Sequence, residues 1–327
     1  MSKHPASFPL ATRLFKRLGR IAFSMVWLLA FAAPLPAVDI LYVSMGDGTI
    51  VTFDTTGNNG STIAATKAVF ANTNLNGPQG LAFDSSGNLY AANTFDGTSG
   101  TISKFNAAGA YVSNITSNLN RPHSLAFDSS GNLYASNAND NSISKFNAAG
   151  TYVSNISNVN IPHSLAFDSS GNLYAANPYV GNGAISKFNA SGTYVSNITS
   201  NLNRPGGLAF DSTGNLYAAN SIGNTISKFN ASGGFLSSIG SSSNLNDPLG
   251  LAFDSSGNLY VSNVYDSTIS KFDASGNFLT SWITGTASVR YLAFKSVTVP
   301  EPSTYALAAI AKGVMAFVAR RRKARGV

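Results

Sequence analysis

Ten residues, Leu81-Ala-Phe-Asp-Ser-Ser-Gly-Asn-Leu-Tyr90, return almost unchanged at 125–134, 165–174, 208–217 and 251–260. A partial copy, Leu292-Ala-Phe-Lys295, closes the series. Successive leucines stand 44, 40, 43, 43 and 41 residues apart. A chain with this period makes one supersecondary unit per repeat and buries each unit's apolar face against the next. Inside the unit, Leu-Ala-Phe reads as a short strand. Asp-Ser-Ser-Gly-Asn reads as a hairpin loop, because Asp accepts backbone N–H bonds and Gly supplies φ > 0. Asn-Leu-Tyr-Ala-Ala is a second strand. A third covers 101–105, with copies at 142–146, 184–188, 225–229 and 268–272. A tight turn at 106–109 leads to a fourth at 111–115, repeated at 152–156 and 194–198.

Four short antiparallel strands per unit make one blade of a β-propeller. The ends of the body supply the last blade. Residues 39–44, 49–53 and 67–70 read as second, third and fourth strands without a first. Residues 291–294 read as a first strand with nothing after it. Pairing the two removes the open sheet edges that an unclosed array would leave. The expected fold class is all-β: a six-bladed β-propeller of four-stranded antiparallel blades, the last closed by both termini.

Charge separates this body from its flanks. The formal net charge is +7, yet residues 38–300 hold ten basic residues against 13 aspartates. The excess of Lys and Arg lies in 1–37 and 301–327, where it reads as a membrane-topology signal. With no basic stripe on the body, no nucleic-acid partner is expected. The absence of cysteine removes disulfides, Cys–zinc sites and thiol chemistry. Residues 1–37 read as a signal peptide: a basic stretch to Arg20, the apolar run 21–33, and a cut after Ala37. The expected domains are therefore a signal peptide at 1–37, a propeller at 38–298 and a C-terminal segment at 299–327.

The unit Pro-x-Gly-Leu-Ala-Phe-Asp-x-x-Gly-Asn-Leu-Tyr-x-x-Asn, followed by Ile-x-x-Phe, resembles the NHL-repeat family of β-propellers over residues 39–295. The C-terminal segment carries a second resemblance. Pro300-Glu-Pro302 precedes an apolar run at 305–319 and the cluster Arg320-Arg-Arg-Lys-Ala-Arg325. This order looks like a PEP-CTERM sorting signal. That resemblance implies an exosortase-type enzyme acting at Pro300, Glu301 and Pro302. It also implies a C-terminal transmembrane helix as a transient or permanent anchor, and delivery to the bacterial envelope, surface or extracellular matrix.

A blade's loops divide between two faces. Loops joining first to second and third to fourth strands are nearly identical from copy to copy. Loops joining second to third and fourth to first strands vary, and binding usually lives in variable loops on a fixed scaffold; drift in unused loops gives the same pattern. On the variable face the residue before each first strand points toward the channel mouth: Gln79, His123, His163, Gly206, Leu249 and Arg290. His123 and His163 are the only histidines outside the signal peptide. They are weak catalytic candidates, for proton transfer or as a metal pair; a catalytic zinc site normally has three protein ligands and the body has no third histidine, which favours one duplication as their origin. Arg121 and Arg204 are placed to hold a carboxylate or an anionic sugar, or to serve as solvated loop charges. Phe95, Tyr179 and Tyr265 offer stacking surfaces for sugar rings, or core packing.

The chemistry expected of relatives is incomplete here. Metal-dependent lactonase propellers resemble one another in a Glu/Asn/Asp set, and residues 38–300 contain no Glu. Asp84-Ser-Ser-Gly-Asn88 lacks the repeated acidic ligands that calcium prefers. No metal, cofactor or catalytic set is therefore expected. Asn114-Ile-Thr, Asn155-Ile-Ser and Asn197-Ile-Thr match acceptor sites for glycosylation, and equally keep an outer strand soluble. The expected function is non-catalytic: an exported binding or scaffold module for extracellular polysaccharide or surface protein. The alternative is a propeller lyase or hydrolase using His123 and His163.

Overall fold

The structure, a computed structural model, describes residues 38–55, 67–94, 100–285 and 287–297. Every regular element among them is a β-strand. Blade one pairs β1 (Val38–Met45), β2 (Ile50–Asp54) and β3 (Ala68–Ala71) with β24 (Val289–Val297), in the order β24-β1-β2-β3. Blade two is β4 (Pro78–Phe83), β5 (Leu89–Asn93), β6 (Thr101–Phe105) and β7 (Tyr111–Ile115). Blade three is β8 (Pro122–Phe127), β9 (Leu133–Asn137), β10 (Ser142–Phe146) and β11 (Tyr152–Ile156). Blade four is β12 (Leu165–Phe167), β13 (Leu173–Asn177), β14 (Ala184–Phe188) and β15 (Tyr194–Ile198). Blade five is β16 (Pro205–Phe210), β17 (Leu216–Asn220), β18 (Thr225–Phe229) and β19 (Phe235–Ile239). Blade six is β20 (Pro248–Phe253), β21 (Leu259–Asn263), β22 (Thr268–Phe272) and β23 (Phe278–Ile283). Six four-stranded antiparallel sheets result, the first closed by both ends of the body.

The ten-residue repeat builds both the hairpin and the seam between blades. In blade two the Asp84 carboxylate accepts the N–H groups of Ser86 (3.0 Å) and Asn88 (2.9 Å) and the Asn88 side-chain amide (2.8 Å). Gly87 takes φ 78° to close the turn. The Leu-Tyr tyrosine of each blade then meets the Leu-Ala-Phe phenylalanine of the next, edge to face. Tyr90–Phe127, Tyr134–Phe167, Tyr174–Phe210 and Tyr217–Phe253 have centroids 4.9–5.1 Å apart. Tyr260–Phe294 and Tyr42–Phe83 (each 4.8 Å) carry the pairing through blade one, so the ring closes. Buried leucine, isoleucine and phenylalanine fill each seam around these pairs.

Two features depart from the sequence reading. The first strands in blades two, three, five and six begin at the proline, three residues before the leucine. Between that proline and the leucine the register shifts: Pro78 faces Asn93 and Leu81 faces Ala91. Three steps on β4 thus match two on β5, which is a bulge with one extra residue. Secondly, β24 runs to Val297, beyond the expected 291–294. The fourth strands form the outer rim, as their exposure shows at Tyr111, Val112, Tyr194 and Val195. Asn114, Asn155 and Asn197 lie on these exposed strands.

Candidate functional site

In blades two, three, five and six the bulge takes the residue after the proline out of the regular strand pairing at the channel mouth. The residue before each proline sits at positive φ: Gly77 (60°), Arg121 (56°), Ile161 (45°), Arg204 (59°) and Asp247 (53°). For a β-branched Ile this conformation is an outlier held by its surroundings. Those surroundings include a repeated buried bracket. Asn220, 2% exposed, accepts the Asn203 N–H at 3.0 Å and donates to Ser227 at 2.9 Å. Ser227 donates onward to the Asn201 carbonyl. Asn93, Asn137, Asn177 and Asn263 accept from the corresponding loop N–H groups and donate to the serine of the third strand in the same way. Each loop from a fourth to a first strand is thus clamped onto its blade by a buried, satisfied amide.

With the loops fixed, Gln79, His123, His163, Gly206, Leu249 and Arg290 line one cavity of about 200 Å³; the structure puts all but His163 at the second position of their first strands, rather than before them. Pro178, Arg204, Ser221, Asp247 and Val264 complete it. Gln79 is 2% exposed and His123 9%. The two imidazoles stack face to face, centroids 4.4 Å apart and 15° between planes. Stacked rings carry their in-plane lone pairs side by side, an arrangement that does not converge them on one ion. Burial pushes both histidines down, His123 to about 3 and His163 to about 4. His123 is depressed further by His163, Arg121 and Arg290, and His163 by Arg204 and Arg121. Both are neutral at pH 7, and His123 Nε2 is buried without a hydrogen-bond partner. Asp247 moves the other way: burial raises its carboxyl, opposed by Arg204.

Hydroxyls fix the histidine backbone from the neighbouring blade. Ser136 donates to the His163 carbonyl (2.7 Å) and accepts the Ser124 N–H (2.9 Å). Ser124 and Ser164 accept the N–H groups of Leu165 (3.1 Å) and Leu208 (3.0 Å). In blade five the residue equivalent to Ser164 is Gly207, where a Cβ would stand 1.8 Å from the Leu249 carbonyl oxygen. The inner strands approach too closely there for any side chain.

The remaining candidates divide. Arg204 donates to the Tyr179 hydroxyl (2.7 Å) and lies over its ring at 4.9 Å; His163 meets the same ring edge-on at 5.7 Å. Tyr179 and Arg204, with Pro178 and Ile222, line a shallow shelf beside the mouth. Arg121 acts on both histidines through its charge but is not among the residues lining the cavity. Tyr265 is 82% exposed and also lies off the cavity wall. Phe95, Pro300, Glu301 and Pro302 lie outside the described residues. Asp247 escaped the sequence reading; its signal was its place before a proline, shared with Arg121 and Arg204. Among the described residues no three His, Cys, Asp or Glu are placed to share a metal ion.

Comparison with known proteins locates the chain further. Residues 298–323 match the family described as the PEP-CTERM protein-sorting motif. No curated protein matches. A chain of the nidogen/laminin complex is similar with a TM-score of 0.66 at 17% identity, over 79% of this chain and 98% of that one. The virginiamycin B lyase of Staphylococcus aureus is similar at 0.53 and 16%, over 64% and 70%. A streptogramin B lyase is similar at 0.54 and 14%, over 76% and 74%. At such identities the likeness is one of fold. No helix among the described residues is long and apolar enough to cross a membrane, and the apolar run at 305–319 lies outside them. The sorting motif implies export, envelope-associated sorting and recognition by an exosortase-type enzyme, so this chain is a six-bladed β-propeller carrying a PEP-CTERM address.

Proposed function

We propose that the propeller binds a ligand at its channel mouth without transforming it, the ligand being an extracellular polysaccharide or a surface protein. One observation carries this reading. Copies that agree nearly letter for letter over the ten-residue repeat carry five residue types at the six positions that converge on one cavity, with only His123 and His163 alike. A signal peptide at 1–37 and a sorting segment at 299–327 would deliver the propeller at 38–298 to the cell surface or matrix, with the apolar run at 305–319 as its membrane anchor. The lyase or hydrolase reading gives His123 and His163 the work of a base. Burial makes both too weak to hold a proton near neutral pH, which favours binding.

Two measurements test the reading. Leu249→Trp would fill the cavity; it should abolish binding of envelope glycans or surface proteins to the full chain while the fold survives. Undiminished binding by that variant would remove the mouth as the site. Deleting 299–327 should shift the protein out of the surface fraction. Unchanged delivery would remove the address.

A further inference from the structure

The ten cations of residues 38–300 are sorted by type. Seven are lysines away from the mouth and three are arginines near it. Lys104, Lys145, Lys228 and Lys271 pair with hairpin aspartates at 3.5–4.0 Å. Lys187 lies over Tyr174, Lys67 donates to the Thr284 carbonyl and Lys295 to the Gly87 carbonyl. The three arginines act on the mouth: Arg204 and Arg290 line it, and Arg121 is close enough to depress both histidines. Against them the cavity wall presents one acid, Asp247. A body with net negative charge therefore focuses positive charge at one opening. Arginine is the cation whose planar fork matches a carboxylate in two-point fashion.

Size and wall narrow the occupant. Drug-sized ligands fill roughly 300–1,000 Å³, so about 200 Å³ admits one small group. Gln79 and His123 Nε2 are buried polar groups on this wall, the latter without a partner. Leu249, Val264 and Pro178 give it an apolar side. Outside, the shelf continues through Pro178 and Arg204, which line both spaces. Tyr179, nearly half exposed, is held there by Arg204 and His163. A fixed aromatic face beside an anion pocket matches a chain whose units alternate an apolar ring face with a carboxylate.

We propose that the mouth takes the carboxylate of an acidic sugar residue within a glycan, held by Arg290 with Gln79 and His123, while the adjoining sugar lies on the Tyr179–Arg204 shelf. This rests on the mouth being a binding site and names the class of its ligand. Charge complementarity sets the anion, and the shelf sets a polymer of rings over an isolated ion.

Calorimetry on the full chain tests it with four probes: tetragalacturonate, its methyl ester, galacturonate monomer and poly-glutamate. Tetragalacturonate should bind, and added salt should weaken it. The methyl ester should bind about tenfold more weakly or worse, since charged hydrogen bonds are lost. Arg290→Gln should bring the acid down to the level of the ester, and Gln79→Leu should weaken the acid selectively. Tyr179→Ser should weaken the tetramer and spare the monomer. Melting curves of each variant check the fold. Equal binding of acid and ester, abolished by Leu249→Trp, would overturn the acidic ligand and leave the binding site standing. Poly-glutamate binding more tightly than the tetramer would overturn the glycan in favour of an acidic protein. No binding by any probe would also overturn the proposal, while envelope material lost on Leu249→Trp would still keep the mouth as a site.

Discussion

On one face of the propeller each repeated aspartate is used within its own hairpin; on the other, polar groups differ from blade to blade and point into a shared cavity. Asp211 accepts two N–H groups, the Asn215 amide and the Thr213 hydroxyl, with Lys228 at 3.6 Å. A carboxylate so surrounded has no bond left to offer a ligand. His123 Nε2 is buried and has no protein partner. Leaving a buried polar atom unsatisfied costs about 1–3 kcal/mol, a cost that persists in a chain only where something offsets it. The hairpin face satisfies its polar groups internally and the channel face leaves one of them unpartnered, although both use the same few residue types.

The largest expected effect is acid sensitivity from the histidine pair. Their folded values, about 3 and about 4, lie below the ordinary 6.5. The unfolded chain therefore binds more protons, and stability is complete above pH 6.5 and lost as pH falls toward 4. The slope is about 1.4 kcal/mol per histidine per pH unit within that window. Asp247, raised by burial, has the opposite sign and offsets part of it. Asp84, Asp128 and Asp211 are lowered and lose their contribution only below pH 3.8, under the pH 4.5 at which the titration is made. Urea titrations at pH 7.0 and 4.5 should show a steep loss, flattened in His123→Gln with His163→Gln. An identical slope in that double variant would assign the titration elsewhere.

Next comes the bracket that holds the channel-face loops. Asn220→Ala leaves the Asn203 N–H and the Ser227 hydroxyl short of a buried partner. The expected loss is about 2–3 kcal/mol by urea denaturation. Ligand affinity should fall with it, because Arg204 sits on the loop it clamps and Gly206 follows at the start of β16, both on the cavity wall. A loss of stability with unchanged affinity would separate the loop from the site.

The hairpin face was legible in the sequence because its chemistry is local. Asp84 reaches Asn88, and Gly87 turns the chain, all within five residues. The closure of the ring was legible too, since residues 39–44 lacked exactly the strand that 291–294 supplied. The channel face was legible only as a set of positions. The bulge in blades two, three, five and six is a register shift between two strands, and no single strand's sequence encodes it. Arg121 and Arg204 take αL conformations beside such bulges, which the local propensity of a residue before proline does not favour. Asp247 went unread for the same reason: its meaning depends on Arg204, brought near it from another blade's loop.

A smaller effect is expected on the hairpin face. Asp211→Ala removes one turn and its half-buried lysine pair, whose Lys228 and Asp211 side chains are 22% and 14% exposed. Solvent still reaches the pair and screens it, so about 1 kcal/mol is expected at pH 7, mostly from the turn's hydrogen bonds. The carboxyl sits at about 2, held down by those bonds against the opposing effect of burial. Its contribution is therefore present above pH 3.8 and lost as pH falls through about 2. Ligand affinity should be unchanged, and a change would break the division between the faces.

The smallest effect, at Tyr265, is the sharpest test of what makes a channel-face residue functional. Tyr265 and Tyr179 belong to equivalent variable loops and were equal candidates in the sequence. In the structure Tyr265 is 82% exposed and off the cavity wall, whereas Tyr179 is pinned by Arg204 and His163 on the shelf. An aromatic ring must be held in place before it can stack on a sugar without a large ordering cost. Tyr265→Ser should therefore change stability by less than about 0.5 kcal/mol and leave tetragalacturonate affinity as it was, while Tyr179→Ser weakens it. If Tyr265→Ser instead costs as much affinity as Tyr179→Ser, exposure on the variable face is enough to bind, and the cavity does not define the site.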